Sequence, residues 1–358
     1  MKHRDRVIKA LQFQEPDRPP FQATFCPEFA TRLRKAYGIS DTHSHDPHSG
    51  RWNGYELEIL TGQDALQCSI GWFINYYLDT IPYTDEWGVQ WKVDPYSTPF
   101  GEGHYTNLLK GPLEDDQAVN DYRAPDPHRP ELYTNLERVI REYKHEYYII
   151  GRLHCTMFES AWALRGFQNM LVDFYLNPDL AHHVLDITKN YHLEVARNMA
   201  RKGVDMIWLG DDIGSQDALL IPPEVWREFI KPGMKEIISV AKNTSPGIKI
   251  AYHTDGNNYD IIPELIEIGV AVLNPLQTES MDPGLLKEKY GDRLAFFGAI
   301  SVQSTLPFDT EEEVKQEYLE RKKILGKSGG WICAPTHHVQ LDTPMENFNA
   351  MVETIKEV

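Results

Sequence analysis

The stretch Ile248-Lys-Ile-Ala-Tyr-His-Thr-Asp-Gly256 indicates how this chain folds. An apolar run typical of a buried strand ends abruptly in His253 and Asp255, whose side chains are common metal ligands. A second run, Gly330-Trp-Ile-Cys-Ala-Pro-Thr-His-His338, ends in the same way, with Cys333 inside it and two histidines after it. Reactive side chains of α/β enzymes collect at such strand ends. We therefore expect these two strand ends to meet over one pocket.

Apolar runs of strand length alternate with segments of helical periodicity from about residue 147 onward. The strand-like runs are residues 148–153, 206–209, 248–252, 270–273, 294–297 and 330–334, and the helical segments include 180–202, 223–242 and 310–327. This alternation predicts a parallel sheet covered by helices. A closed (β/α)8 TIM barrel is favoured over an open doubly wound sheet, because no Gly-x-Gly-x-x-Gly opens a helix after a first strand and because polar residues follow one strand after another.

Residues 1–146 differ from the rest of the chain, since they are rich in turn signals, aromatic residues and short runs. We interpret them as an elaborated N-terminal segment that also contains the first barrel elements. Residues 147–358 would supply the regular βα repeats. We expect the 358 residues to form a single α/β barrel domain, because one barrel of this length can bury a large core.

Composition excludes several classes of function. The formal net charge of −17 and a pI near 5.3 argue against binding to nucleic acid or to anionic membranes, which require clustered Lys and Arg. No apolar stretch is long enough to span a bilayer, and residues 1–7 carry charge without an apolar signal region. Four cysteines lie scattered without a close pair, as in proteins of a reducing compartment. We expect a cytoplasmic protein.

Carboxylates follow two further strand-like runs and are candidates for acid or base chemistry. Asp211 and Asp212 come directly after residues 206–209, and Glu159 lies about one turn beyond residues 148–153. Each could bind a metal, transfer protons or orient a histidine. An aspartate at this position could equally cap a helix, and Glu159 could complement a helix dipole.

Neutral polar side chains stand at two more strand ends. They are Asn274, Gln277, Ser301 and Gln303. Such groups commonly orient a polar substrate, although they can also satisfy loop backbone. Cys333 is either a metal ligand or a small buried hydrophobe, because the sequence does not show which way a strand residue points.

Motifs along nearly the whole chain resemble the uroporphyrinogen decarboxylase superfamily. They are Arg4-Asp-Arg-Val-Ile-Lys-Ala-Leu11, Glu15-Pro-Asp-Arg-Pro19, Gly210-Asp-Asp-Ile-Gly214, residues 222–231, His253-Thr-Asp-Gly256, Leu273-Asn-Pro-Leu-Gln277, Pro335-Thr-His-His-Val-Gln340 and Asp342-Thr-Pro-Met-Glu-Asn347. The resemblance implies a (β/α)8 barrel. The superfamily contains a decarboxylase of the haem pathway and zinc-dependent, corrinoid-linked methyltransferases.

The residues favour the methyltransferase branch. The decarboxylase carries a Met-Arg-Gln-Ala-Gly-Arg stretch whose arginine helps to bind a polycarboxylate substrate, whereas this chain reads Gln22-Ala-Thr-Phe-Cys-Pro-Glu28. The coenzyme M methyltransferases place zinc on a His-x-Cys motif and a later cysteine. His253 matches that histidine, while Asp255 and His337 stand where the cysteines would be. This harder nitrogen and oxygen set still suits zinc and resembles the O-demethylases of the family more than its thiol-activating enzymes.

The resemblance implies a specific reaction and partner set. Zinc held by His253, Asp255 and His337 would activate a small methylated substrate, a methyl ether, for methyl transfer to a corrinoid carried by a separate protein. Asp212 or Glu159 would be a fourth ligand or an outer partner. Asp211, Asp212 and Glu159 are the candidate catalytic groups, and Cys333 and His338 are secondary candidates. Aromatic walls for the substrate, or simple core residues, would be Phe25, Trp72, Tyr76 and Trp87.

Two other functions remain open from the sequence. One is metal-independent decarboxylation of a carboxylated pyrrole or small acid, with Asp211 or Asp212 stabilising a protonated ring. The other is a non-catalytic barrel that binds a small ligand, which a wide separation of His253 and His337 would favour. A homodimer is a possible assembly for any of these functions.

Overall fold

The fold is known from a computed structural model that describes residues 1–40, 54–70 and 82–357, together with the backbone of two short strands. The strands are β1 (His45–Asp46), β2 (Arg51–Trp52), β3 (Ala65–Ser69), β4 (Tyr83–Thr84), β5 (Gln90–Thr98), β6 (Gly101–Lys110), β7 (Tyr148–Leu153), β8 (Met206–Gly210), β9 (Lys249–His253), β10 (Val272–Leu276), β11 (Ala295–Ile300) and β12 (Trp331–Pro335). Each strand-like run that the sequence indicates after residue 147 corresponds to one of β7–β12.

Helices precede, separate and follow the strands. They are α1 (His3–Leu11), α2 (Pro27–Ala36), α3 (Glu56–Thr61), α4 (Asp116–Asp121), α5 (Thr134–Tyr143), α6 (Phe158–Arg165), α7 (Phe167–Leu176), α8 (Pro178–Lys202), α9 (Pro223–Val225), α10 (Lys231–Thr244), α11 (Ile262–Ile268), α12 (Pro283–Tyr290), α13 (Thr305–Phe308), α14 (Glu311–Arg321) and α15 (Met345–Glu357). Among the described helices, none is long and apolar enough to cross a membrane.

Local sequence explains several helix ends. Thr310 and Glu313 form a capping box at the start of α14, and the Asp282 side chain accepts a hydrogen bond from the Leu285 amide at the start of α12. Gly203 ends the long helix α8 with a φ of 89°. Glycine adopts this left-handed conformation without the steric penalty of a Cβ atom.

Seven parallel strands form the main sheet, in the order β3-β7-β8-β9-β10-β11-β12. Helices connect successive strands, as expected for parallel pairing. The predicted α/β class is therefore confirmed. The sheet curls until its two edge strands, β3 and β12, face each other across a gap of one strand.

Residues 20–22 fill this gap and close the barrel. The Cys333 amide donates to the Pro20 carbonyl at 2.8 Å, and the Gln22 amide donates to the Cys333 carbonyl at 3.0 Å. On the other side, the Asp64 amide donates to the Phe21 carbonyl at 2.8 Å. The extended segment thus takes the eighth position of a (β/α)8 barrel, as the sequence predicts, although it forms isolated bridges and not a regular strand.

Buried strand residues separate into two packing layers. Side chains such as Trp208, Ala251, Phe297 and Ala334 pack in the barrel interior, and α1 covers one end of that interior with Val7 and Leu11. The alternate residues of the same strands pack outward against the helices. A strand residue faces either the barrel interior or the helices, depending on its position in the two-residue alternation of the strand.

The N-terminal third adds a three-stranded antiparallel sheet, β4-β5-β6, outside the barrel. The His104 amide on β6 donates to the Glu28 carboxylate at 2.9 Å, and the Arg32 guanidinium lies 4.3 Å from the centre of the Phe100 ring. These contacts attach the β5–β6 hairpin to α2, which directly follows the barrel-closing segment.

A buried carboxylate joins the closing segment to the barrel. Asp64 precedes β3 and is fully buried. It accepts hydrogen bonds from Arg6 Nη1 at 2.6 Å, Arg18 Nη1 at 2.7 Å, His3 Nδ1 at 2.8 Å and the Phe21 amide at 2.8 Å. Burial alone would raise its pKa, but the hydrogen bond from His3 and the charges of Arg18 and Arg6 hold the pKa of Asp64 below its usual value.

We predict that Asp64→Asn destabilises the fold by about 3–5 kcal/mol, because it removes the buried carboxylate charge that Arg6 and Arg18 share. The measurement is the free energy of urea unfolding at pH 7. Because the pKa of Asp64 is depressed in the folded state, its contribution should be present at neutral pH and lost as the pH falls through that depressed value.

Asp292→Asn is the matched control. The Asp292 side chain is 85% exposed and lies 3.9 Å from Arg293 Nε, so its removal should cost about 1 kcal/mol or less. Equal destabilisation by the two variants would contradict a special role for Asp64.

Candidate metal centre

Barrel closure brings two distant strand ends together. The ends of β9 and β12 are three strands apart, which in a flat sheet corresponds to about 14 Å. In the barrel the ring centres of His253 and His337 are 6.1 Å apart. Ligand atoms of His253, Asp255 and His337 all lie within 4.8 Å of one another. Three side chains predicted from the sequence as ligands therefore converge at one point of the barrel rim.

A hydrogen bond orients the ring of His253. Its Nδ1 lies 2.6 Å from the Asn274 Oδ1 atom on the neighbouring strand β10. The Asn274 amide nitrogen donates to the Phe297 carbonyl at 3.3 Å, so Oδ1 is the atom that faces the histidine. The oxygen can only accept, so Nδ1 of the ring donates this hydrogen bond, and Nε2 is the ring atom available to a metal. Nε2 is the atom that points toward Asp255, at 3.8 Å from its Oδ1.

The loop after β9 holds Asp255 at this point. The Asp255 amide donates to Asp212 Oδ1 at 2.8 Å, and the Gly256 amide donates to Gln277 Oε1 at 2.8 Å. Gly256 has a φ of 77°, and a Cβ atom there would lie 2.2 Å from the Ser215 carbonyl oxygen. The tight turn therefore requires glycine.

The donor atoms of this group suit a cation. Asp255 Oδ1 is buried and has no hydrogen-bond partner among the described residues. Burial and the negative charge of Asp212 raise the pKa of Asp255, although His253 and His337 oppose this effect. Burial lowers the pKa of His337, which keeps its ring neutral at neutral pH. Two imidazoles and a carboxylate form a nitrogen and oxygen set that zinc accepts.

Three more carboxylates, those of Asp211, Glu159 and Asp212, lie next to the three candidate ligands and are linked by hydrogen bonds. The Asp211 carboxylate accepts hydrogen bonds from the Met157 and Glu159 amides at the start of α6, at 2.9 and 3.0 Å. Glu159 Oε2 accepts from the Asp212 amide at 3.1 Å, and Asp212 in turn accepts from Asp255. Each carboxylate thus fixes the backbone of the next acidic residue.

These acids differ in their access to the site. Asp211 is fully buried, and burial raises its pKa to about 7 against the opposing effect of its backbone donors. Burial and the charges of Asp212 and Asp211 raise the pKa of Glu159 well above its usual value. The Asp212 side chain is 36% exposed, and its Oδ1 lies 3.6 Å from His253 Nε2. Asp212 is thus the one of these three that reaches the histidine.

A polar cavity lies next to the convergent ligands, inside the barrel mouth. Its lining comprises Gln22, Thr24, Arg152, Trp208, His253, Asn274, Phe297, Ala334, Pro335, Thr336, His337 and His338. His338 packs edge-on against His337, with ring centres 4.8 Å apart. Both edges of the barrel seam contribute, since Gln22 and Thr24 come from the closing segment and residues 334–338 from the end of β12.

The neutral residues predicted to bind substrate have other contacts in this structure. Asn274 lines the cavity and holds His253, whereas Gln277 supports the turn at Gly256. The Ser301 hydroxyl hydrogen-bonds to Glu279 and to Ser304, and Gln303 accepts a hydrogen bond from Gln216 at 3.3 Å. Of these four predicted residues, only Asn274 is part of the cavity wall.

The aromatic candidates and Cys333 lie elsewhere. Phe25 packs against Phe29 and Phe348, and Trp87 is buried against Tyr191, with ring centres 4.7 Å apart. Trp72 and Tyr76 lie outside the described residues. Cys333 is fully buried on the helix-facing side of β12, because its neighbours Ile332 and Ala334 occupy the barrel interior. Burial raises the pKa of the Cys333 thiol well above its usual value.

Several cavity residues were not singled out by the sequence analysis, among them Arg152 and Trp208. Arg152 lies on β7 and Trp208 on β8, and the guanidinium carbon of Arg152 is 4.1 Å from the centre of the Trp208 ring. Trp208 in turn packs edge-on against His253, with ring centres 5.1 Å apart. A charged residue within the otherwise apolar run of residues 148–153 was the signal that could have identified Arg152.

Comparison with known proteins identifies a family. A family model described as uroporphyrinogen decarboxylase (URO-D) matches residues 98–358. A methylated-thiol–coenzyme M methyltransferase from Methanosarcina mazei is 24% identical over 205 residues, covering 56% of this chain and 51% of that protein. The chain therefore spans about half the length of that methyltransferase. A uroporphyrinogen decarboxylase from Coxiella burnetii is 21% identical over 291 residues, covering 78% of this chain and 75% of that protein.

A solved structure shares the fold over the whole chain. It is a methyltransferase from Methanosarcina mazei with a TM-score of 0.71 and 18% identity, and the match covers 100% of this chain and 99% of that one. At this identity the similarity shows a common fold.

We predict that Asn274→Leu weakens zinc binding about 10- to 100-fold, because the ring of His253 loses the acceptor that fixes its tautomer. Zinc affinity is measured by competition with a chromophoric chelator. Asn169→Leu is the control, since Asn169 on α7 donates an amide hydrogen bond to the Arg165 carbonyl at 3.1 Å, close to the 3.3 Å of the bond that Asn274 donates to Phe297. Unchanged zinc affinity in Asn274→Leu would show that the hydrogen bond does not orient a ligand.

Proposed function

Since the chain belongs to the uroporphyrinogen decarboxylase family, we propose that it is a zinc-dependent methyltransferase that demethylates a small methyl ether. The acceptor of the methyl group would be a corrinoid carried by a separate protein. The family relatives described above are of two kinds, methyltransferases and decarboxylases. The choice between them depends on the chemistry of the residues at the barrel mouth.

The convergence of His253, Asp255 and His337 carries this proposal. Their ligand atoms lie within 4.8 Å of one another, Nε2 of His253 faces the group, and Asp255 Oδ1 is buried without a hydrogen-bond partner among the described residues. A buried carboxylate oxygen without a donor is costly unless a cation binds it. A three-residue set leaves a coordination position open, as catalytic zinc sites do.

Methyl ethers resist cleavage because alkoxide and phenoxide are poor leaving groups. Zinc in this site would supply a Lewis acid that draws charge from the ether oxygen. The methyl carbon–oxygen bond would break with its electron pair remaining on the oxygen, which takes up a proton. The reduced corrinoid would supply the electron pair of the new cobalt–carbon bond, so the overall transfer is of a methyl cation equivalent.

The surrounding residues would position this chemistry. Asn274 would keep Nε2 of His253 directed at the site, and Asp212 would act as an outer partner or a fourth ligand, given its 3.6 Å distance from that nitrogen. We assign Glu159 and Asp211 the task of holding Asp212 and the start of α6 in place. His338 would limit the movement of the His337 ring through their edge-on contact.

Decarboxylation is the second candidate, because the Coxiella burnetii decarboxylase aligns with 78% of this chain and the methyltransferase with 56%. In that case Asp211 or Asp212 would stabilise a protonated ring without a metal. A non-catalytic binding barrel has less support. A wide separation of His253 and His337 would favour it, but the centres of the two rings are 6.1 Å apart.

We predict that purified protein binds about one zinc ion per chain and that His253→Ala and His337→Ala each lose it, because two ligands rarely hold zinc tightly. Zinc content is measured by mass spectrometry of dialysed protein. His128→Ala serves as the control, because its side chain is 59% exposed and lies outside the cavity lining. Equal zinc content in all four proteins would overturn the assigned ligands.

We further predict that removal of zinc by a chelator abolishes methyl transfer from an aryl methyl ether to a reduced corrinoid protein and that added zinc restores it. The readout is the absorbance change of the corrinoid on methylation. Release of carbon dioxide from a carboxylated pyrrole by the zinc-free protein, with no methylation in the zinc form, would instead establish the decarboxylase.

A further inference from the structure

Helix α7 is apolar on both of its faces. Met170 and Phe174 face inward and belong to the hydrophobic core. Asp173, the one charged residue of α7, is also buried and accepts a hydrogen bond from Arg165 Nε at 2.7 Å. The outward face carries large side chains with exposed fractions of 41% for Phe167, 43% for Val172, 65% for Tyr175 and 74% for Leu176. An all-round apolar sequence is typical of a buried helix and not of a surface helix.

The outward face of α7 forms an open groove of about 520 Å³ outside the barrel. Its lining, in which no side chain is charged, comprises Phe167, Gln168, Leu171, Val172, Tyr175 and Leu176. None of these residues lines the cavity beside the candidate metal ligands. Residues four positions apart on a helix form ridges with grooves between them, and two such rows lie side by side here. A contiguous apolar patch of this kind marks a binding surface.

The charge of the chain favours a second copy of the same chain as the occupant. The net charge is −17, so two copies repel each other wherever their charged surfaces approach. The face of α7 can approach its own copy without that repulsion, because no side chain in its lining is charged. A two-fold symmetric contact places the same patch of both copies together, and the patch must therefore be complementary to itself.

The sequence of α7 meets this condition. A two-fold axis across the middle of the helix, between residues 171 and 172, would place Phe167 of one copy against Leu176 of the other, at both ends of the contact. The same axis would place the Gln168 amide opposite the Tyr175 hydroxyl. The two polar side chains of the lining would then hydrogen-bond to each other, and apolar side chains would meet apolar ones.

The exposed area is sufficient for such a contact. The lining side chains expose roughly 500 Å² on each chain, so two copies would bury about 1,000 Å² in total, near the lower limit for a specific interface. An apolar centre within a polar rim is the usual composition of such interfaces. An interface of this size predicts a dimer that dissociates on dilution.

We propose that α7 forms the centre of a two-fold symmetric homodimer interface, in which the outward faces of two α7 helices cover each other. The interface lies outside the barrel and shares no lining residue with the cavity, so both copies keep an accessible barrel mouth. The dimer depends on neither the metal nor the reaction.

The test measures the oligomeric state of the full chain by sedimentation velocity over a range of concentrations. The native protein should form a dimer. Leu176→Glu should weaken that dimer about 100-fold or more, because it buries a carboxylate against Phe167 of the second copy at both ends of the contact. Phe308→Glu is the matched control, since Phe308 is also 74% exposed but lies on α13, and it should leave the dimer unchanged. The zinc content of both variants should equal that of the native protein.

A pair of opposite charges tests the two-fold pairing. Phe167→Lys and Leu176→Glu should each be monomeric alone, whereas an equal mixture of the two variants should form a heterodimer. In the mixture the introduced ammonium and carboxylate groups face each other at one end of the contact, and the native apolar pair remains at the other end. A mixture that stays monomeric would contradict this pairing.

Two outcomes would overturn the homodimer itself. One is a native protein that is monomeric at every concentration, and the other is a dimer that Leu176→Glu leaves intact. If the native protein is monomeric and Leu176→Glu lowers methyl transfer to a corrinoid protein without loss of zinc, the face binds that protein and not a second copy. The zinc-free protein should dimerise like the zinc-loaded one, so the result is independent of the proposed function.

Discussion

Closure of the barrel by residues 20–22 is the constraint on which the candidate site depends. Without the backbone hydrogen bonds from this segment to Cys333 and Asp64, β3 and β12 would be open edges of a seven-stranded sheet. A flat sheet would separate the backbones at the ends of β9 and β12 by about 14 Å, whereas the closed barrel directs His253 and His337 to one point of the rim. The buried charge of Asp64, which contacts the Phe21 amide and Arg6, links this closure to α1 at one end of the barrel.

The site concentrates negative charge in a partly buried place, which is unfavourable unless something compensates for it. Backbone amides supply part of the compensation, because Asp211, Glu159 and Asp212 each accept hydrogen bonds from the chain. Asp255 Oδ1 has no such donor among the described residues. Hydrogen bonds thus connect the four acidic residues in series, and the last of them, Asp255, faces the two histidines. This arrangement suits a bound cation.

Much of this site could be read from the sequence, because the relevant signal is local. A run of apolar residues that ends in histidine or aspartate predicts both a strand and its polar end, and the parallel arrangement places such ends on one rim. His253, Asp255 and His337 were identified in this way. The prediction was less specific for Asn274 and Gln277, since a strand-end amide can contact either a ligand or the protein, and the structure assigns both to protein contacts.

The sequence by itself determined the strands, their parallel arrangement and the residues that end them, because these depend on the order of apolar and polar residues over a few positions. Only the tertiary structure decided which side of a strand faces the cavity and which strand ends meet. Cys333 points to the helices and Arg152 into the barrel, although both lie within apolar runs. The reason is physical: the direction of a side chain depends on strand register, and register is set by hydrogen bonds between segments as distant as Gln22 and Cys333.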